Sequence, residues 1–147
     1  MIIGTRLSAV DWLDGGLTIE DTVLVALALK EVGVAYICAS SGGGSPDARP
    51  PMTPGFQVPF AERIRREAGI ATRAVGLITD PVQAEAIVAD GKADMVALAR
   101  AMLTDPRWPW RAAVRLGETP TPPPQYARAA LTTLPKWVEP AQHEAAE

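Results

Sequence analysis

The alternation of short apolar segments with amphipathic ones is the feature that most constrains the fold of this chain. Residues 2–8, 34–40, 70–78 and 93–99 are apolar and are predicted to be strands. They are apolar on both faces, which is typical of parallel strands covered by helices. The alternation therefore predicts an α/β fold with a parallel sheet.

The helices between these strands are marked by local start and stop signals. Each is expected to open on a capping residue or a proline and to close on a glycine, which adopts the left-handed conformation beyond a helix end. The opening residues are Thr18, Pro59, Asp80 with Pro81, and Asp105 with Pro106, and the closing residues are Gly33, Gly69, Gly91 and Gly117. The chain thus contains four successive β-α units.

Two architectures accommodate four such units, an open doubly wound sheet and part of a (β/α)8 barrel. A complete barrel takes about 250 residues and eight units. The 147 residues of this chain hold four units, so a barrel would be present only as a half. Residues 1–117 are predicted to form this domain, residues 118–138 a proline-rich arm, and residues 139–147 a disordered tail.

Composition narrows the function classes. A net charge of −3 argues against nucleic-acid binding, and no apolar run is long enough to cross a membrane. Cys38 is the only cysteine, which excludes an intramolecular disulfide and fits a cytoplasmic protein. His143 is the only histidine and lies in the polar tail, which argues against a Ser-His-Asp triad or a histidine-rich metal site. No metal is therefore expected.

Charged and small residues stand where the predicted strands end. Ligands of parallel α/β folds bind at the carboxyl ends of the strands, where Arg6, Gly76 and Arg100 are expected to lie. Backbone N–H groups of Gly76 and Leu77 can approach a phosphate closely, and arginine offers a bidentate cationic clamp. These residues predict an anion site, and the alternative is that both arginines are ordinary solvated or ion-paired side chains.

Several separated stretches resemble the C-terminal half of the Old Yellow Enzyme family of flavin-dependent ene-reductases, in its bacterial thermophilic-like and xenobiotic reductase class. They cover residues 6 to about 130 in the same order as in the family. The stretches are RLSAVDWLDGGLTIEDTVLVALALKEVGV, SSGGGSP, PGFQVPFAERIRREAGIATRAVGLIT, PVQAEAIVADGKADMVALARAMLTDPRWPWRAA and PPPQYARA.

This resemblance implies strands five to eight of a (β/α)8 barrel that binds FMN and is reduced by NADPH or NADH. The positions matching Gly76, Ala99 and Arg100 line the FMN phosphate in the family, and Arg6 matches an arginine at the pyrimidine edge of the flavin. Arg128 matches an arginine that reaches the active site of a neighbouring subunit. The family usually has glycine at the position of Ala99. The implied reaction is hydride transfer from reduced FMN to an activated alkene.

The resemblance also implies that no catalytic residue lies in this chain. The first half of the family's barrel supplies a His/His or His/Asn pair and a tyrosine proton donor, and neither Tyr36 nor Tyr126 matches that donor. Activity is therefore expected to need a complementing N-terminal half-barrel, in a protein expected to be a homo-oligomer. Two alternatives are a non-catalytic half-barrel that assembles with itself or a partner, and a phosphate-ligand barrel fragment with other chemistry.

Overall fold

A computed structural model describes residues 1–129 of the chain. Its four strands are β1 (Gly4–Ser8), β2 (Tyr36–Ser40), β3 (Ala71–Val75) and β4 (Met95–Ala97). Its helices are α1 (Ile19–Glu31), α2 (Val58–Ala68), α3 (Pro81–Ala89), α4 (Arg100–Thr104) and α5 (Trp108–Arg115), followed by a 3₁₀ helix over Pro124–Ala129. The predicted tail 139–147 and the end of the predicted arm lie outside the described residues.

All four strands are parallel and are arranged in the order β1-β2-β3-β4. A doubly wound sheet reverses its strand order at a switch point, whereas a barrel adds each new strand beside the previous one. The sequential order therefore favours the half-barrel over the open doubly wound sheet. No helix within residues 1–129 has both the length and the apolarity that crossing a membrane would require.

The two faces of the sheet differ in chemistry. One face packs under the helices, and Ala39 on β2 and Ala74 on β3 are fully buried there beside Leu7 and Val96. Side chains alternate along a strand, so the residues between these belong to the opposite face, which we call the inner face. Its members are Gly4, Arg6, Ser8, Tyr36, Cys38, Ser40, Ala71, Arg73, Val75, Met95 and Ala97.

The start of α1, the start of α3 and the end of α2 have the expected chemistry, and Gly33, Gly91 and Gly117 also follow their helices at positive φ. Thr18 caps α1 in a reciprocal capping box with Asp21, and this hydrogen bond holds the pKa of the Asp21 carboxyl below its ordinary value. Asp80 accepts the N–H of Val82 at 2.8 Å, with Pro81 in the first turn of α3. Gly69 ends α2 in the left-handed conformation at φ +60°. These caps fix where α1 and α3 begin and where α2 ends.

The prediction that Asp105 opens the last helix is wrong. The short helix α4 comes first, and α5 begins three residues after Asp105, at Trp108. The Asp105 carboxylate instead accepts the N–H of Arg107 at 3.1 Å and pairs with the guanidinium of Arg111 at 2.6 Å. Asp105 therefore stabilises the turn between the two helices, because a strong cationic partner lies within reach in the following helix.

Candidate functional site

A cavity of about 240 Å³ opens at the carboxyl ends of the strands, where parallel α/β folds bind ligands. It is formed by residues at or after the ends of β2, β3 and β4, together with one residue of β1. The lining residues are Arg6, Ser40, Met52, Phe56, Gln57, Val75, Gly76, Leu77, Ile78, Thr79, Ala97, Ala99, Arg100 and Ala101. The structure thus brings together four of the predicted site residues, namely Arg6, Gly76, Ala99 and Arg100.

The cavity is cationic, because Arg6 and Arg100 line it and no carboxylate does so among the described residues. The Nη2 of Arg6 donates to Ser40 Oγ at 2.9 Å, which orients this guanidinium across the ends of β1 and β2. Arg100 is the exposed first residue of α4, and its guanidinium forms no ion pair within the described part of the chain. Arg100 is therefore available for an anionic ligand.

The turn after β3 has an unusual backbone conformation. Gly76 has φ +120° and Leu77 has φ +53°, so two successive residues lie at positive φ. The carbonyl oxygen of Gly76 accepts the N–H of Gly55 at 2.9 Å. The N–H groups of Gly76, Leu77 and Arg100 donate to no backbone carbonyl within residues 1–129. Free N–H groups in a tight turn of this kind form the concavities that bind anions.

Gly76 is also required by the packing around the turn. A Cβ atom at this position would lie 2.6 Å from Gln57 Nε2 and 3.2 Å from a ring carbon of Phe56. Real Cβ atoms do not approach other atoms as closely as 2.6 Å, so any side chain here would displace Gln57. The close approach therefore explains the glycine by sterics as well as by its positive φ.

Gln57 is a site residue that the sequence did not reveal. It is buried, and its Nε2 donates to the carbonyl oxygen of Val75 at 3.0 Å while its Oε1 accepts from Ser41 Oγ at 2.8 Å. These two bonds connect the segment after β2 with the end of β3 on the wall of the cavity. A polar side chain within the apolar stretch GFQVPF was the only available signal.

Helix α5 holds the segment after β3 that lines one side of the cavity. The indole Nε1 of Trp108 donates to the carbonyl oxygen of Thr79 at 2.7 Å, so the segment after β3 is tied to this helix. Trp110 packs edge-on against Tyr126 with ring centroids 5.3 Å apart, and the Arg107 guanidinium lies over both rings. Both tryptophans pack against the fold, as expected from their positions at a helix start.

Ala99 stands where the family pattern has glycine, and its backbone explains why alanine is compatible with the site. Its φ is −117° and its ψ is −79°, so Ala99 has a negative φ and does not need the left-handed conformation that favours glycine. Ala99 lines the cavity directly before Arg100. The replacement therefore adds one methyl group at a position whose φ does not require glycine.

The remaining predicted positions lie elsewhere. Arg128 belongs to the 3₁₀ helix, and its side chain falls outside the part of the chain that the structure describes. Cys38 is buried in β2, as predicted for a small residue in a strand, but it lies on the inner face. No group of three His, Cys, Asp or Glu side chains within the described residues could hold a metal ion.

Fold and cavity together define a parallel β/α half-barrel with a cationic pocket at its strand ends. Two solved structures share this fold. One is 2-naphthoyl-CoA reductase in complex with 2-naphthoyl-CoA, with a TM-score of 0.65 and 24% identity over 77% of this chain and 18% of that one. The other is histamine dehydrogenase from Rhizobium sp. 4-9, with a TM-score of 0.64 and 19% identity over 80% of this chain and 17% of that one. The predicted (β/α)8 half-barrel fold is thereby confirmed.

The family model of the NADH:flavin oxidoreductase / NADH oxidase family matches residues 1–118, and the chain belongs to this family. An NADPH dehydrogenase of Geobacillus sp. (strain WCH70) is 53% identical over 123 residues, which are 84% of this chain and 36% of the relative. An NADPH dehydrogenase of Halalkalibacterium halodurans is 47% identical over 126 residues, which are 86% of this chain and 37% of the relative. The predicted flavin oxidoreductase family is confirmed.

The chain spans little more than a third of the length of these curated relatives. FMN is the cofactor of the family, and a reduced nicotinamide dinucleotide is its electron donor. The prediction of FMN with NADPH or NADH is therefore confirmed at the level of the family.

Proposed function

We propose that this chain is the FMN-binding half of an NAD(P)H-dependent ene-reductase and that catalysis needs a complementing half-barrel. One observation carries the proposal, namely a cavity at the strand ends that is lined, among the described residues, by two arginines, free backbone N–H groups and no carboxylate. This combination suits a phosphate monoester, which carries nearly two negative charges at neutral pH and several acceptor oxygens. Membership of a flavin oxidoreductase family supports FMN as the bearer of that phosphate.

The residues present fit this cofactor. The N–H groups of Gly76, Leu77 and Arg100 would donate to the phosphate oxygens, and the Arg100 guanidinium would add a charge-assisted bond. Ala99 would contribute backbone only. Arg6 lies across the same cavity and is oriented by Ser40, so it would hold the polar edge of the flavin ring and stabilise negative charge there.

When bound, FMN supplies hydride transfer between NADPH or NADH and the activated alkene of an unsaturated carbonyl compound. The residues that line the described cavity bind and orient the cofactor, and none of them is a histidine or a tyrosine that could donate a proton. We assign proton donation and substrate binding to the complementing half. Residues 1–117 are the FMN-binding domain in this proposal, and Arg128 on the arm of residues 118–138 acts across a subunit contact in a homo-oligomer.

The proposal is tested by supplying the missing half. The remainder of the Geobacillus sp. relative, outside the region that this chain matches, is prepared separately and mixed with this chain in the presence of FMN. NADPH consumption is then measured with an unsaturated cyclic ketone. We expect turnover in the mixture and none from either part alone, because FMN binding resides in this chain and proton donation resides in the complementing half.

Two controls define the result. A mixture without added FMN should be inactive, and each part alone with FMN should also be inactive. Steady turnover by this chain alone would contradict the need for a second half. A flavin-loaded complex of both parts that consumes no NADPH would contradict the proposed activity.

A further inference from the structure

The inner face of the sheet contains an arginine that the FMN site does not use. Arg73 lies in the middle of β3, in register with Cys38 on β2 and Met95 on β4. Cys38 is in turn in register with Arg6 on β1. The middle layer of the inner face therefore contains two guanidinium groups with a buried thiol between them.

Arg73 is held in place by its neighbours but has no anionic partner within the described residues. Its guanidinium carbon lies 5.0 Å from the centroid of the Tyr36 ring, and this ring covers Gly4, where a Cβ atom would collide with it. Arginine is cationic at physiological pH, and the Cys38 side chain beside it raises the pKa of Arg73 further above its ordinary value. Its Nε is buried and has no hydrogen-bond partner in this part of the chain.

Arg73 would destabilise the assembled barrel if the inner face were buried and the guanidinium remained unpaired. The helices of this chain pack on the other face, and a barrel buries the inner face when its remaining strands close around it. A buried charge without a partner is strongly destabilising, whereas a carboxylate pairs with a guanidinium through two parallel hydrogen bonds. No Asp or Glu is among the residues of the inner face, so these strands cannot supply the partner.

We infer that the polypeptide completing this barrel places a carboxylate in the middle layer of its own inner face, where it pairs with Arg73. The inference rests on the proposed function in one respect, the complementing half-barrel, and it specifies the chemistry by which that half is recognised. The contact with the Tyr36 ring restricts where the guanidinium lies, so the pair also selects the register in which the halves close.

A second copy of this chain does not fit the same face. Pairing two copies would bring Arg6 and Arg73 of one against the same residues of the other, with no carboxylate on either inner face. Four guanidinium groups would then share one interior, and like charges in a desolvated interior repel strongly. The charge pattern thus favours an acidic complement over a dimer of identical half-barrels.

The test is a double-mutant cycle between this chain and the remainder of the Geobacillus sp. relative. Each middle-layer inward position on the strands of that remainder is set in turn to Glu and to Gln, which have nearly the same shape. Affinity is measured by isothermal titration for the wild-type chain and for Arg73→Met. We expect at least one Glu form to bind the wild-type chain at least tenfold more tightly than its Gln form, and Arg73→Met to abolish this preference.

Two matched variants of this chain separate the pairing of Arg73 with a carboxylate from the effect of simply removing a positive charge. Arg73→Lys keeps the cation and should retain part of the preference, and Arg115→Met removes an exposed charge on α5 and should retain all of it. Equal affinities for every Glu and Gln pair, or a preference that survives Arg73→Met, would overturn the inference. So would failure of every form to bind. A complex that forms without the preference leaves the FMN proposal intact, because cofactor binding is measured separately by flavin fluorescence.

Discussion

Arg100→Glu is expected to lower the affinity for FMN by about a hundredfold while leaving the affinity for riboflavin nearly unchanged. The guanidinium lines the cavity without an ion-pair partner in the described chain, and the change replaces an attractive charge with a repulsive one. A hydrogen bond between charged groups contributes about 1.5–3 kcal/mol, and about 2.8 kcal/mol corresponds to a hundredfold change. Riboflavin lacks the phosphate, so its binding does not depend on this charge.

The measurement is a fluorescence titration of both flavins into the complex of this chain with the remainder of the relative. Arg115→Glu is the matched control, because it makes the same change of charge on an exposed residue of α5 that does not line the cavity. The effect at Arg100 should shrink as salt is added, since the residue is exposed and its charge is screened. Equal losses for FMN and riboflavin would refute the assignment of Arg100 to the phosphate.

Gly76→Ala is expected to destabilise the fold and to abolish tight FMN binding. Alanine at φ +120° is strained by about 1–3 kcal/mol, and overpacking adds about 1–3 kcal/mol more. The overpacking arises because the new Cβ would lie 2.6 Å from Gln57 Nε2 and displace a side chain that bridges Ser41 and Val75. The turn that presents the free N–H groups would then lose its shape.

Gly33→Ala is the matched control, because Gly33 also has a positive φ, of +87°, but no neighbouring atom lies within 4 Å of the position that a Cβ would take there. It should be destabilised only by the backbone conformation, about 1–2 kcal/mol, and should bind FMN normally. Urea unfolding of each purified variant gives the free energies of unfolding, and flavin titration gives the affinities. Equal losses of stability and unchanged FMN binding in both variants would exclude a steric role for Gly76.

Local signals in the sequence predicted the parts of the fold that depend on neighbouring residues. The capping box of Thr18, the Asp80-Pro81 start and the left-handed Gly69 each involve groups within a few residues of one another, so their chemistry is visible in the sequence. At Asp105 the carboxylate also accepts the N–H two residues further on, but α5 begins only at Trp108 and the same carboxylate pairs with Arg111.

The candidate site was predictable in its charges but not in its architecture. Arg6, Gly76 and Arg100 stand on or directly after strands, and the parallel topology alone brings such positions together. Gln57 bonds to residues 16 and 18 positions away, and these contacts exist only after β2 and β3 pair. The surroundings of Arg73 likewise depend on the strand register, which places it beside Cys38 and near the ring of Tyr36, and could not be predicted from the sequence.

We propose that the segments after β3 and β4 form the FMN phosphate site, and amide NMR tests this assignment most directly. This chain is isotopically labelled, assembled with the unlabelled remainder of the relative, and titrated with FMN and with riboflavin. We predict that the amide resonances of Gly76, Leu77 and Arg100 shift with FMN and shift far less with riboflavin. Equal shifts with both flavins, or no shift at these three amides while others respond, would contradict the account.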